Sequence, residues 1–104
     1  SFAVGLVWAG ETGKLVGTIT DKTTGEPLMG VNVILKGTTY GAATNARGTY
    51  YILNIPAAAY TVSASYIGYR TVIITDVRVN ADLTTTLDIA MEMTAIEGEE
   101  ITVE

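Results

Sequence analysis

The 104-residue chain contains neither cysteine nor histidine. Without cysteine there is no disulfide framework, thiol nucleophile or zinc–cysteine site, and without histidine no Ser-His-Asp triad. Basic side chains are scarce as well: six Lys and Arg stand against eleven Asp and Glu, a formal net charge of -5. Nucleic acid needs a basic face and is excluded as a partner. No apolar run reaches the roughly 18–20 residues of a transmembrane helix. Charged residues make up 16% of the chain against 48% hydrophobic, the wrong balance for a disordered segment. What remains is the composition of one small folded domain with no evident catalyst and no cofactor motif.

What the chain does have favours β structure. Thr18, Thr20, Thr38, Thr39, Thr84, Thr85 and Thr86 recur among Val, Ile and Tyr, and such side chains suit a pleated surface better than a helix. Glycines punctuate the chain rather than forming a linker. Alternation predicts a first strand over 14–21, with Leu15, Gly17 and Ile19 on one face and Thr18 and Thr20 on the other. Turn residues follow around Gly25 and Pro27. Val31, Val33 and Leu35 alternate with Asn32, Ile34 and Lys36, and a short strand is expected over 38–44. After a hairpin-type loop at 45–48, Tyr50, Ile52 and Asn54 are expected to share a face until Pro56. Tyr60, Val62, Ala64 and Tyr66 mark the next strand, 70–79 another, and 83–93 the last, with Leu87, Ile89, Met91 and Met93 on one face. About seven short strands separated by turn signals predict an all-β sandwich.

These residues carry a family resemblance. Gly13-Lys14-Leu15-Val16-Gly17-Thr18-Ile19-Thr20-Asp21 resembles the opening strand of carboxypeptidase regulatory-like domains. Thr24-Gly25-Glu26-Pro27-Leu28-Met29-Gly30-Val31 and Thr44-Asn45-Ala46-Arg47-Gly48-Thr49-Tyr50 are similar to the turn and middle hairpin that follow. Pro56, Tyr60-Thr61-Val62-Ser63-Ala64 and Tyr66-Ile67-Gly68-Tyr69 complete the series over 13–93. Ala58 and Asn45 depart from it, standing where glycine and aspartate are usual. The resemblance implies a seven-stranded prealbumin-like (transthyretin-like, Ig-like) β-sandwich. It also implies an accessory module without catalytic residues, of the kind found in surface proteins and at the N-termini of TonB-dependent outer-membrane receptors.

The two ends lie outside that match. Residues 94–104 form an acidic tail similar to the segment that follows this domain in such receptors, where a Val-rich energy-coupling box leads to plug and barrel. Its Ile101 and Val103 alternate with Glu100, Thr102 and Glu104, a strand pattern beyond the seven. Residues 1–12 open with Phe2, Val4, Leu6, Val7 and Trp8, which resemble the end of a secretory signal and are also apolar enough to be a strand. Three readings compete for them: pairing with a neighbouring subunit, folding back as an eighth strand, or a signal remnant. The first leads to the favoured expectation. Open sheet edges accept added strands, and termini donated head-to-tail give a filament of identical subunits. On that reading Phe2, Val4, Leu6, Val7, Trp8, Ile101 and Val103 form the assembly interface of a secreted or cell-surface structural protein. The alternative is the accessory domain of a TonB-dependent receptor, in the periplasm or outer membrane.

Other candidates are weaker. Asp76, Asp82 and Asp88 have no defined metal-ligand spacing, and Glu97, Glu99 and Glu100 read as a solubilising cluster. Surface carbohydrate enters as a partner in two ways, attached to surface threonines or stacked on tyrosines. Tyr50, Tyr60 and Tyr66 are expected in or near the core, leaving Tyr51 and Tyr69 exposed for contact.

Overall fold

The structure, a computed structural model, describes residues 11–104. Nine strands run in the order β1 (Thr12–Asp21), β2 (Asn32–Leu35), β3 (Gly41–Ala43), β4 (Thr49–Pro56), β5 (Ala58–Ser65), β6 (Thr71–Val79), β7 (Thr84–Thr86), β8 (Ile89–Met91) and β9 (Glu100–Val103). One sheet has the order β4-β1-β7, with β8 also paired to β1; the other has the order β3-β2-β5-β6-β9. The all-β sandwich is as expected, with nine strands rather than seven. The last expected strand divides into β7 and β8, and the acidic tail supplies β9.

The division has a local cause. β7 and β8 both lie parallel to β1, opposite 14–16 and 19–21 respectively. Between them the Leu87 N–H donates to the Val16 carbonyl at 2.9 Å, and the Asp88 carboxylate accepts the Thr18 N–H at 2.8 Å. A side chain thus replaces a ladder carbonyl. Gly17 permits the approach, since a Cβ there would lie 1.8 Å from the Leu87 carbonyl oxygen. Met93 falls beyond β8 and is exposed, not part of the apolar face expected of it.

Two bulges reset the alternation. Gly13 and Leu15 pair with Ile55 and Ile52, so β4 carries an extra residue there, and Asn54 has φ 56°. Ile55 rather than Asn54 therefore turns inward and is fully buried. In β6, Val77 and Ile74 oppose Tyr60 and Val62, and Asp76 has φ 57°. Asn and Asp adopt this left-handed conformation more readily than other L residues. A sequence alternation cannot show such an insertion, because the shift depends on the partner strand.

The core joins Leu15, Ile19, Val33, Leu35, Tyr50, Ile52, Ile55, Val62, Ala64, Val72, Val77, Val79, Ile89 and Met91 between the sheets. Tyr50 is fully buried with its hydroxyl donating to the Leu87 carbonyl at 2.6 Å. Burial, and secondarily Asp88, push that phenol's pKa upward.

Candidate interaction site

One pole of the sandwich is built by the β5–β6 turn and the 92–99 connection. The Tyr69 N–H donates to the Tyr66 carbonyl at 3.0 Å, closing a four-residue turn with Gly68 at φ 84°. Positive φ at this position calls for glycine. The turn leaves Ile67 at its tip, 87% exposed, and sets the Tyr66 and Tyr69 rings 5.5 Å apart between centroids at 43°.

Tyr69 was expected to be exposed; it is half-buried because its hydroxyl is drawn to Asp21. It donates to Asp21 Oδ2 at 2.6 Å, while Oδ1 accepts the N–H groups of Thr23 at 2.8 Å and Thr24 at 3.0 Å. The Tyr69 hydrogen bond and then the Thr24 N–H hold the Asp21 carboxyl below its ordinary range, against the opposing effect of burial. The same hydrogen bond, with desolvation and the Asp21 charge, pushes the Tyr69 phenol up to about 12.

The 92–99 connection is fastened through Arg70. Arg70 Nη1 lies 3.1 Å from Glu92 Oε1, and Nε lies 3.2 Å from Glu99 Oε1, an ion pair lacking hydrogen-bond alignment. Thr94 Oγ1 donates to Glu99 Oε1 at 2.6 Å, and this bond, ahead of Arg70, lowers the Glu99 pKa. Backbone bonds reinforce the fastening: Arg70 N–H to the Glu92 carbonyl and Thr71 N–H to the Glu99 carbonyl, both 2.8 Å. Glu99, expected to be a solubilising charge, is thus a structural one.

Between turn and connection lies an open cleft of about 770 Å³, lined among others by Tyr66, Ile67, Tyr69, Thr94, Ile96 and Glu97. Ile96 is 63% exposed, and Met93, bridged to Tyr69, is 72% exposed. Ile67 and Ile96 line the cleft itself, and Met93 lies beside it; single exposed apolar side chains are ordinary, whereas neighbouring ones on a concave surface are a feature of contact sites. Among the described residues no three His, Cys, Asp or Glu side chains are grouped to hold a metal ion. Asp76 pairs with Arg78 at 3.5 Å, Asp82 occupies a positive-φ turn, and Asp88 caps Thr18.

The expected interface residues divide. Phe2, Val4, Leu6, Val7 and Trp8 lie outside the described residues. Ile101 and Val103 are on β9, which runs parallel to β6 of the same chain, opposite Val72 and Ile74. Tyr51 is exposed on β4. Sequence reasoning missed the fastening of Arg70 and the link from Asp21 to Tyr69. Asp21 ahead of two threonines and Gly25 was a readable Asx-turn signal, whereas its tyrosine partner lies too far along the chain to be read.

The CarboxypepD_reg-like domain family matches residues 15–103. Two structures of a type II cohesin–X-dockerin complex from Acetivibrio cellulolyticus, a C-terminal and an N-terminal interface mutant, are similar at 26% and 31% identity. Their TM-scores are 0.67 and 0.66, and in each case 83% of this chain aligns with 62% of that one. This chain therefore spans 62% of the length of those two matched chains. The minor pilin GBS52 of Streptococcus agalactiae shares the fold at 17% identity and TM-score 0.61, over 85% of this chain and 47% of the pilin. No curated protein matches the sequence significantly. With nearly its whole described length aligned, the chain belongs to the CarboxypepD_reg-like domain family.

Proposed function

We propose that this chain is a non-enzymatic interaction domain of a secreted or cell-envelope protein. It works as an accessory to a larger assembly such as a TonB-dependent outer-membrane receptor. The observation that carries this reading is the exposure of Ile67 and Ile96 on the cleft they share with Tyr66 and Tyr69, with exposed Met93 bridged to Tyr69 beside it. The partner is another envelope protein presenting an apolar surface. The cohesin–X-dockerin and pilin likenesses support a role in protein contact outside the cytoplasm.

A second reading is self-assembly by strand exchange through the termini. It is favoured by β9, an edge strand whose outer side pairs with no other strand among the described residues. Negative-stain electron microscopy of the full chain beside one lacking residues 1–10 separates the two. Monodisperse particles in both samples agree with the accessory domain. Filaments that disappear on truncation would establish the structural subunit instead, and Leu6→Asp with Trp8→Asp should then abolish them without unfolding the sandwich.

A further inference from the structure

β9 is an edge strand, paired along one side with β6 and with no other strand among the described residues. All four of its residues are exposed, Ile101 and Val103 by 41% and 47%. Next to it in the same sheet, Val72 and Ile73 of β6 are only 6% exposed. The inner strand contributes buried side chains to the sandwich and the edge strand contributes none. Pairing runs from Thr71–Glu100 to Ile74–Val103, four residues in parallel, the less stable sheet geometry. Ahead of β9, the 95–98 stretch is exposed, and the firm anchor is Glu99 on Arg70 and Thr94. Segments with little buried apolar surface open locally well before the whole domain unfolds. Once open, β6 presents a row of free N–H and C=O groups, which templates another strand.

We propose that β9 is an exchangeable strand, and that the edge of β6 it covers is a strand-accepting site for β9 of a second copy of this chain. The occupant follows from the register. Ile101 and Val103 lie opposite Val72 and Ile74, and Glu99 must reach Arg70, so Arg70 fixes where the strand begins. An identical segment from another copy meets all three requirements. Exchange of an identical element creates no new contact, and it proceeds when the free strand outcompetes a tethered one of roughly millimolar effective concentration. The identity of the occupant rests on the self-association reading; the site itself does not.

A labelled peptide, Gly-Glu-Glu-Ile-Thr-Val-Glu, corresponding to 98–104, tests this against the intact chain and its Glu99→Lys variant. The substitution sets a lysine against Arg70, loosening the tethered strand while leaving the β6 edge and Arg70 intact. The variant should bind the peptide at least about tenfold more tightly than the unaltered chain, because the tethered competitor is weakened. A peptide with lysine in place of its first glutamate should lose that gain. Equal binding by both chains, or none, with amide exchange in β1 and β5 unchanged, overturns the site. Should Glu99→Lys unfold the domain, Thr94→Val replaces the hydroxyl that orients Glu99 and accepts the Ile96 N–H by a methyl of the same shape, and the same comparison is made with it. Sedimentation separates the two claims: peptide binding by a chain that stays monomeric at high concentration keeps the site and refutes a second copy as its occupant.

Discussion

The hydroxyl of Tyr69 donates a 2.6 Å hydrogen bond to the carboxylate of Asp21, tying the turn at the interaction pole to the end of β1. Both groups titrate away from their ordinary ranges, so stability should fall at both extremes of pH. Asp21 is lowered in the folded state, so its contribution is present above the unfolded carboxylate pKa of about 4 and is lost as pH falls through the lower folded value. Tyr69 is raised, so its contribution is present below the unfolded phenol pKa of about 10 and is lost as pH rises toward about 12. Tyr69→Phe should flatten the acid limb of a urea-midpoint profile and shorten the alkaline one, leaving the part due to Tyr50 and Tyr60, whose phenols burial also raises. A profile identical to that of the unaltered chain would refute the link.

Two glycines separate space from backbone conformation. Gly17→Ala forces a Cβ to within 1.8 Å of the Leu87 carbonyl and should cost about 3 kcal/mol, opening the β1–β7–β8 edge. Gly25 has φ 77° and open space around it, so Gly25→Ala should cost only about 1 kcal/mol. Urea denaturation of both variants checks the order, and equal losses would contradict the packing assigned to Gly17.

Val33 is fully buried in β2, paired with both β3 and β5. Val33→Asp buries a carboxylate with no partner and should destabilise the domain by more than about 4 kcal/mol. Loss of the sharp thermal transition by circular dichroism is the expected result.

Strand identity was legible where one face is apolar without interruption, as at Leu15, Ile19, Val33, Leu35 and Val62. It failed where pairing depends on another strand. The bulge at Asn54 brings Ile55 inward, and the interruption at Asp88 exists because Gly17 stands opposite. The site was less readable than the fold. Ile67 and Ile96 are twenty-nine positions apart and line one cleft because Arg70, its two glutamate partners and the backbone bonds beside them fasten the 92–99 connection to the turn. The motif Tyr66-Ile67-Gly68-Tyr69 announced a turn, but not that its tip would be apolar and exposed beside a second loop.

Because Ile67 and Ile96 pack little against their own domain, Ile67→Ser and Ile96→Ser should each change stability by no more than about 0.5 kcal/mol. Thermal melts check this, and a larger loss would mean that the pole serves the fold rather than a partner.

Photo-cross-linking in living cells tests the interaction pole most directly. A benzophenone side chain is placed at position 67, at 96, or at Thr38 in the turn after β2 at the other end of the sandwich. Adducts with one envelope protein are expected from positions 67 and 96 and none from 38. Adducts from no position, or equally from all three, would contradict the interaction pole, and adducts solely with other copies of the chain would transfer the function to self-assembly.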